Sequence, residues 1–204
     1  VASDPSNPVD GQVWYNTTSN TVKANYINPG SWSTGGALNT ARQLFAGAGT
    51  QTAALVFGGS TFPSPPVAVT ESYNGTSWTE VNDLNAARQN TNGAGTQTSA
   101  LCVAGYTTSP NNQFVEKWNG TNWTEVNDLN TARAELGAAG TSTAALGFGG
   151  ENSPALTELW NGTNWTEVND LPSGSARSRG FGDTNTNALF IDGDDSTTTD
   201  SASW

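Results

Sequence analysis

The chain has 204 residues, of which 34% are hydrophobic and 12% are charged, and its 18 acidic and 7 basic residues give a formal net charge of −11. This length allows one domain or two small ones. An acidic surface repels nucleic-acid phosphates, and no apolar run is long enough to cross a bilayer, so we expect neither nucleic-acid binding nor membrane insertion. The absence of histidine and the single cysteine, Cys102, exclude imidazole-based catalytic sites and internal disulfides. We therefore expect that the protein is not an enzyme.

Residues 1–30 differ in character from the rest and are predicted to form an N-terminal hairpin or linker segment. Within them, GQVWYN (11–16) and TVKANY (21–26) are short strand-like runs separated by turn residues. The segment is either an edge hairpin of the following domain or a separate connector, and the sequence leaves both interpretations open.

Residues 31–204 contain internal repeats with a period of about 45 residues. The block ESYNGTSWTEVNDLNAAR (71–88) returns as EKWNGTNWTEVNDLNTAR (116–133) and as ELWNGTNWTEVNDLPSGSAR (158–177), and a shorter copy, GSWSTGGALNTAR, covers 30–42. Each copy ends in an arginine that precedes a Gly/Ala-rich or Gly-rich block. These arginines are Arg42, Arg88, Arg133 and Arg177.

Each repeat unit is predicted to contain four short strands, termed A to D in chain order. A glycine-rich strand A leads into strand B, typified by AALVFGG, strand C carries TESY, VEKW or TELW, and strand D carries WTEV. Asn-Gly joins strands C and D and favours a turn, because both residues tolerate positive φ. Four-stranded units of this period are typical of propeller blades, so we predict an all-β propeller over residues 31–204.

The repeat pattern also predicts how the ring closes. The last unit reaches TTTDSASW (197–204) without a strand D, whereas a strand D with its tryptophan is present in residues 31–39. We therefore expect four blades of four antiparallel strands, the last of them closed by this N-terminal strand. Five blades are the alternative, because the 11–26 hairpin could supply part of a further blade.

The order of these motifs resembles the kelch repeat. A double glycine ends strand B at Gly58-Gly59 and Gly149-Gly150, an aromatic residue lies in strand C, and a tryptophan opens strand D. The chain departs from the pattern at Ala104-Gly105 and Asp192-Gly193. The resemblance implies a propeller, but the copper site of galactose oxidase-like members needs histidines, which this chain lacks.

The N-terminal sequence carries a second resemblance. DPSNPVDGQVWYNTTSNTVK (4–23) is similar to short segments that precede repeat domains in bacteriophage tail-fibre and other virion proteins. Together with the tandem NGTxWTEVNDLNTAR repeats, it resembles structural proteins of marine phages. The resemblance implies an extracellular, virion-associated protein that is part of a larger fibre chain.

The repeated arginines are expected to be structural, since one recurs in each connection between blades; the alternative is a ring of arginines that binds an anion near the channel. Bonds from a guanidinium to a carboxylate or a carbonyl of an adjacent blade would explain the repetition. The aspartates that precede the arginines are candidate partners, namely Asp83, Asp128 and Asp170. The repeated tryptophans are expected in the cores of the blades.

The loops between strands B and C differ in length and content, although the rest of the units are close copies. Alternating strand direction puts these B–C loops and the D–A connections on one face, where varied loops commonly carry recognition. The alternative is drift in exposed loops. The candidate binding residues suit a neutral polar ligand such as a glycan, and they are Phe62, Tyr106, Asn111, Asn112 and Phe114.

No cofactor is expected, although the acidic segment near the end of the chain is a weak calcium candidate. Its carboxylates are those of Asp192, Asp194, Asp195 and Asp200. The favoured functional hypothesis is a virion-associated adhesion module that binds a cell-surface glycan or protein through the B–C loops. The alternative is a structural spacer or decoration domain without a ligand.

Overall fold

The computed structural model describes residues 3–6, 11–25, 34–61, 63–108, 112–152, 155–191 and 201–204. Over these residues the chain consists of strands, turns and loops, and no helix is present. The chain divides into two compact units, Val1–Thr34 and Gly35–Trp204. The smaller unit contains one hairpin, and the larger unit contains the repeats.

The hairpin of the smaller unit consists of β1 (Val13–Asn16) and β2 (Thr21–Ala24), which pair antiparallel as the sequence predicts. The carboxylate of Asp4 is its main polar contact, since it accepts hydrogen bonds from Lys23 Nζ at 2.6 Å, Asn16 Nδ2 at 2.6 Å and Trp14 Nε1 at 3.1 Å. These bonds, with that of Lys23 the strongest, lower the pKa of Asp4 to about 2.

The larger unit is a four-bladed β-propeller, which confirms the predicted fold class. Every blade is an antiparallel sheet whose strands follow chain order. Blade 1 contains β3 (Ala46–Thr50), β4 (Ala53–Phe57), β5 (Thr70–Tyr73) and β6 (Trp78–Val81). Blade 2 contains β7 (Asn92–Thr96), β8 (Ser99–Gly105), β9 (Asn112–Trp118) and β10 (Trp123–Val126). Blade 3 contains β11 (Gly137–Thr141), β12 (Ala144–Phe148), β13 (Thr157–Trp160) and β14 (Trp165–Glu167).

Blade 4 contains β15 (Arg179–Thr184), β16 (Asn187–Ile191) and β17 (Ser201–Ser203) within the described part of the chain. The predicted closing strand, 31–39, falls partly outside the described residues, and its residues 34–39 form no strand. Asn39 donates to Glu71 and to the carbonyl of Trp78, as Asn85 does to Glu116 and Trp123 in the next blade. The chain before blade 1 therefore leads into it as a D–A connection.

The four A strands, β3, β7, β11 and β15, lie innermost and pack side by side in that order. Glycine is required where their backbones meet. A Cβ atom on Gly93 would lie 2.6 Å from the carbonyl oxygen of Gly47, and one on Gly180 would meet the carbonyl of Ala138. The Gly/Ala-rich pattern of strand A thus follows from the narrow centre of a ring with only four blades.

The hydrophobic core consists of layers between adjacent blades. Between blades 1 and 2, the ring of Trp123 packs edge-on against Phe57 with centroids 4.8 Å apart. Trp118, Trp160 and Trp165 are also buried. Of the repeated tryptophans that open strand D, Trp123 and Trp165 thus belong to the core, Trp78 is half-buried, and Trp32 lies outside the described residues. The most buried residues of the three inter-blade clusters include Leu55, Leu101, Leu129, Leu136, Ala145 and Leu146.

The turns between strands C and D are capped by asparagine. Asn119 Oδ1 accepts the backbone N–H groups of Thr121 and Asn122, both at 2.9 Å, and Asn74 and Asn161 make the same bonds in their blades. Only the glycine of each Asn-Gly pair has positive φ. The predicted Asn-Gly turn is present, and its asparagine acts as a side-chain acceptor without using its tolerance of positive φ.

Candidate functional site

Three repeated arginines form buried ion pairs with a glutamate in strand C of the blade they lead into. Arg88 Nη2 donates to Glu116 Oε1 at 2.9 Å, and both side chains are at most 2% exposed. The equivalent pairs of the neighbouring blades are Arg42–Glu71 and Arg133–Glu158. Breaking a buried pair leaves an uncompensated charge, so these contacts, here termed latches, hold each connection to its blade.

Each latch includes an asparagine three residues before the arginine. Asn85 donates both its backbone N–H and its side-chain Nδ2 to Glu116 Oε2 at 2.8 Å, and Nδ2 also reaches the Trp123 carbonyl at 3.2 Å. The same bonds are made by Asn39 to Glu71 and by Asn130 to Glu158. Both oxygens of the buried carboxylate are thus satisfied, which a buried charge requires.

The predicted aspartate partners are not the partners of the arginines. Asp83 Oδ1 accepts the backbone N–H of Thr70 at 3.0 Å, and Asp128 Oδ1 accepts that of Val115 at 3.3 Å. Asp170 makes the same bond with Thr157. Asp83 and Asp170 bond the first residue of strand C of their own blade, and Asp128 bonds a residue inside strand β9 of its own blade. These bonds therefore lie within a blade and do not join two blades.

Arg177 does not occupy the position of the other three arginines. The carbonyls of Arg88 and Arg133 accept a backbone N–H from the second glycine position of the preceding blade, and in the next copy the acceptor is the carbonyl of Ser175. Ser175 is buried, whereas the Arg177 side chain is 57% exposed. Blade 4 also has Ala202, paired with Phe190, where the other blades carry the latch glutamate. Arg177, the expected fourth structural arginine, therefore lies two residues after the position that the latch arginines occupy in the other blades.

Four equivalent residues surround the centre of the propeller. Each lies two positions after a latch arginine or, before blade 4, two positions after Ser175. Leu44, Asn90, Glu135 and Arg177 have φ values of 58°, 51°, 59° and 56°, all in the left-handed region. The backbone N–H of Asn90 donates to the Leu44 carbonyl at 2.9 Å, and that of Glu135 donates to the Asn90 carbonyl at 3.1 Å. These four residues, here termed the rim, come from the four D–A connections.

The rim surrounds a cavity of about 280 Å³, which lies at the end of the propeller axis where the D–A connections run. All four blades contribute to its lining, which includes Leu44, Phe45, Asn90, Asn92, Glu135, Leu136, Arg177 and Arg179. We term this space the mouth cavity. It is a concave site formed by rigid strand ends, which is the usual setting for a small-ligand site.

One side of the mouth cavity is polar and internally hydrogen-bonded. Asn90 Nδ2 donates to Glu135 Oε1 at 2.6 Å, and Arg177 Nε donates to Glu135 Oε2 at 3.1 Å. Arg179 Nη1 donates to the Arg177 carbonyl at 3.4 Å. The other side is apolar, because Leu44 and Phe45 are 46% and 41% exposed. The cavity is therefore amphipathic.

No family model matches this chain, and a search of curated proteins gives no significant match. The function of the protein is therefore inferred from the geometry of its rim and cavity.

Of the five predicted binding residues, the structure describes Tyr106 at the start of a B–C loop and Asn112 and Phe114 within strand β9. Tyr106 forms two backbone hydrogen bonds with Gln89, which joins the start of a B–C loop to a D–A connection. Phe114 is 39% exposed, but Asn112 is buried, with Oδ1 accepting the Phe114 N–H at 3.2 Å. Two further candidates, Phe62 and Asn111, fall outside the described residues.

The described residues contain no cluster of three or more potential metal ligands. The calcium candidates, Asp192, Asp194, Asp195 and Asp200, lie outside those residues.

Cys102 is fully buried, which raises the pKa of its thiol. Over the same described ranges, no helix is long and apolar enough to span a membrane.

The motifs of the repeat do not by themselves predict the rim, although the repeats contain a signal for it. At the position two residues after the latch, the four copies carry leucine, asparagine, glutamate and arginine. Three of these residue types are unfavourable at positive φ, so the variation is not explained by backbone preference.

Proposed function

We propose that this protein is a non-enzymatic binding module, a propeller for adhesion or receptor binding that recognises a cell-surface glycan or protein. The observation that carries the proposal is the rim. Four equivalent backbone positions hold four different side chains around one cavity, whereas the latches repeat almost unchanged in three blades.

The conformation of the rim supports binding more than a purely structural role. The left-handed conformation raises the conformational energy of a residue other than glycine by about 1 kcal/mol or more, and the increase is smallest for asparagine. Glycine would relieve this strain at Leu44, Glu135 and Arg177. The presence of three bulky side chains at positions that favour glycine supports a role for the side chains themselves.

The surroundings of the rim extend the proposed binding face. The B–C loop that begins at Tyr106 is hydrogen-bonded to a connection, and the exposed ring of Phe114 lies on strand C after this loop. Loops on a rigid scaffold are the usual carriers of recognition. We define the loop face as the rim together with the B–C loops.

The biological setting follows from the sequence resemblances. The motif order resembles kelch repeats, and residues 4–23 resemble segments of bacteriophage tail-fibre proteins. On this basis we place the protein on the surface of a virion, outside the cell, as part of a longer fibre chain. Its partner in this setting is a glycan or protein of the host surface.

The test is a binding screen of the labelled 204-residue chain against bacterial cells and a glycan array. We expect binding that is lost in a variant carrying Asn90→Gly and Glu135→Gly, because glycine keeps the backbone conformation and removes the side chains. Phe114→Ala tests the adjoining loop. Thr121→Ala, in an exposed C–D turn, is the matched control.

The melting temperature of every variant is measured alongside binding. Loss of binding with an unchanged melting temperature supports recognition by the loop face. Binding that survives both the rim and the loop variants contradicts this location. If the parent chain attaches to no cell or glycan, the spacer alternative replaces the proposal.

A further inference from the structure

A second cavity lies between blades 3 and 4, beside β17, the outermost described strand of blade 4. Its volume is about 160 Å³ and its lining is mostly apolar. The apolar side chains around it include those of Leu146, Phe148, Leu171, Ala188, Phe190 and Trp204. An apolar cavity of about 150 Å³ is large enough to hold an aromatic ring such as benzene. We term this space the inter-blade cavity.

The equivalent place between blades 1 and 2 is filled by a tryptophan of strand D. Trp123 packs edge-on against Phe57, and its Nε1 donates to Thr70 Oγ1 at 3.1 Å. Phe57 and Thr70 are paired in blade 1, and Phe148 and Thr157 are paired in the same way in blade 3. Both of the blade 3 residues line the inter-blade cavity. The cavity therefore has the surroundings of an indole ring.

The hydroxyl group of Thr157 needs a donor. Thr157 is 2% exposed, and its Oγ1 is buried with no hydrogen-bond partner among the described residues. A buried polar atom without a hydrogen bond carries a desolvation penalty, which an N–H donor in the cavity would remove. The equivalent hydroxyl of Thr70 has such a donor in the indole of Trp123.

Blade 4 has no strand D within the described part of the chain. Its sheet ends at β17, whereas the sheets of blades 1 to 3 have four strands each. Residues 34–39, the described part of the predicted closing strand, form no strand. Over the described residues, the edge of β17 is therefore open to a further strand.

The aromatic residue of strand C also lacks its usual neighbour in blade 4. In blades 1 to 3 this residue contacts the tryptophan of strand D, with ring centroids 4.9, 5.4 and 5.3 Å apart. Trp204 holds this position in blade 4, because its backbone N–H donates to the carbonyl of Ala188. Its side chain is 45% exposed. An added tryptophan would cover it as in the other blades.

We propose that the inter-blade cavity binds a tryptophan of a partner protein, carried on an extended segment that adds to the edge of β17 as a fourth strand. The indole ring lies against Phe148 and its N–H donates to Thr157 Oγ1. Backbone hydrogen bonds along an added strand supply affinity, and a side-chain pocket supplies specificity. The contact continues the series of inter-blade contacts made by Trp123 and Trp165. The site shares no described lining residue with the mouth cavity, so it goes beyond the proposed function.

The experiment uses a peptide with the sequence of a strand D. The probe is the capped, uncharged peptide NGTNWTQVN, which is residues 119–127 with Glu125→Gln, so that the acidic chain does not repel it. The ¹⁵N-labelled full chain is titrated with this peptide and with one carrying alanine for tryptophan, and amide shifts are followed by NMR. We expect the tryptophan peptide to shift the amides of Ala188 and Trp204 and to bind about tenfold more tightly or better.

Variants of the cavity test the position of the indole ring. Thr157→Val removes the acceptor at nearly constant volume and is expected to weaken binding of the tryptophan peptide by about two- to tenfold, the effect of one hydrogen bond. The melting temperature of the free chain is expected not to fall, because the lost hydroxyl has no partner among the described residues. Ala188→Leu fills the cavity and is expected to abolish binding. Thr124→Val, at an exposed strand position, is the matched control.

Four results would overturn the proposal. Absence of binding, or equal affinity for the two peptides, excludes an indole site for a partner. Unchanged affinity in Thr157→Val excludes the hydrogen bond. Binding to a Trp32→Ala chain but not to the parent shows that this chain supplies the tryptophan itself, from outside the described residues. Self-association of the parent that the peptide reverses, seen by analytical ultracentrifugation, identifies a second copy as the occupant.

Discussion

A tryptophan buried between two blades needs an acceptor for its indole N–H group. Trp123 has one, because its Nε1 donates to Thr70 Oγ1 at 3.1 Å. Trp165 is the equivalent residue of the next blade, and Val115 stands in the place of Thr70. Within the described residues Trp165 Nε1 is buried without a partner. The residue at the position of Thr70 thus decides whether the buried indole N–H group of the next blade has a hydrogen-bond acceptor.

Val115→Thr is expected to stabilise the propeller, because the new hydroxyl supplies the missing acceptor at nearly constant volume. The gain is about 0.5–1.5 kcal/mol in the free energy of unfolding, measured by denaturant titration. The reciprocal variant, Thr70→Val, removes the acceptor of Trp123 and is expected to cost about 1–3 kcal/mol. A Val115→Thr protein that is less stable than the parent would contradict this pairing of residues.

The A strands depend on close backbone approach more than any other element of the blades. Gly93 of β7 faces the carbonyl of Gly47 and the ring of Phe57, and an added Cβ would lie 2.6 Å and 2.8 Å from them. Because backbone atoms of a neighbouring blade cannot move alone, a side chain here separates two blades. The positions of strand A that face the backbone of a neighbouring blade, such as Gly93 and Gly180, are therefore limited to very small residues.

Gly93→Ala is expected to destabilise the protein by about 1–3 kcal/mol, the usual cost of overpacking a core. The measurement is the midpoint of thermal or denaturant unfolding. Gly35→Ala is the matched control, since the nearest atom to its Cβ would be the Tyr73 hydroxyl at 3.6 Å. If both variants unfold alike, the blades do not pack as tightly at β3 and β7 as described.

The sequence predicts the blades well because each strand of the repeat has its own composition and each C–D turn its own Asn-Gly pair. It does not predict the latch partner, since Glu71, Glu116 and Glu158 are in strand C, 25 to 29 residues after the arginines they bind. Only the ring geometry brings them together. Arg177 aligns in sequence with the other arginines because LPSGSAR and LNTAR both end in Ala-Arg. The two extra residues of LPSGSAR move this arginine past the latch position, and the sequence alone does not show that shift.

Across the whole molecule, the latches hold successive connections to blades 1, 2 and 3. Blade 4 has no equivalent, because Ser175 and Ala202 occupy the two positions. In blade 1, burial by itself raises the pKa of Glu71, but hydrogen bonds from Arg42 and Asn39 outweigh it and lower the pKa below its usual value of 4.5. The stability of the ring therefore depends on this carboxylate being ionised.

The sign of the pH dependence follows from that lowered pKa. Glu71 binds a proton more readily in the unfolded chain, so its contribution is complete above the unfolded pKa and is lost as the pH falls through the folded pKa. We expect the melting temperature of the parent to exceed that of Glu71→Gln at pH 7, and the difference to shrink below about pH 4.5. Glu80→Gln, an exposed glutamate of the same blade, controls for general charge effects. A difference that grows on acidification would contradict the assignment.

The latch arginine and the rim residue are separated in sequence by a single residue, but the first is buried in the blade and the second borders the cavity. Arg88 is confined by Glu116 and the blade beneath it, whereas Asn90 borders the open cavity. A substitution at the second position changes the lining of the cavity and leaves the buried ion pair of the first position in place. The repeat therefore supplies four rim positions around one cavity, and the side chain at each can change while the buried ion pairs of blades 1, 2 and 3 keep their residues.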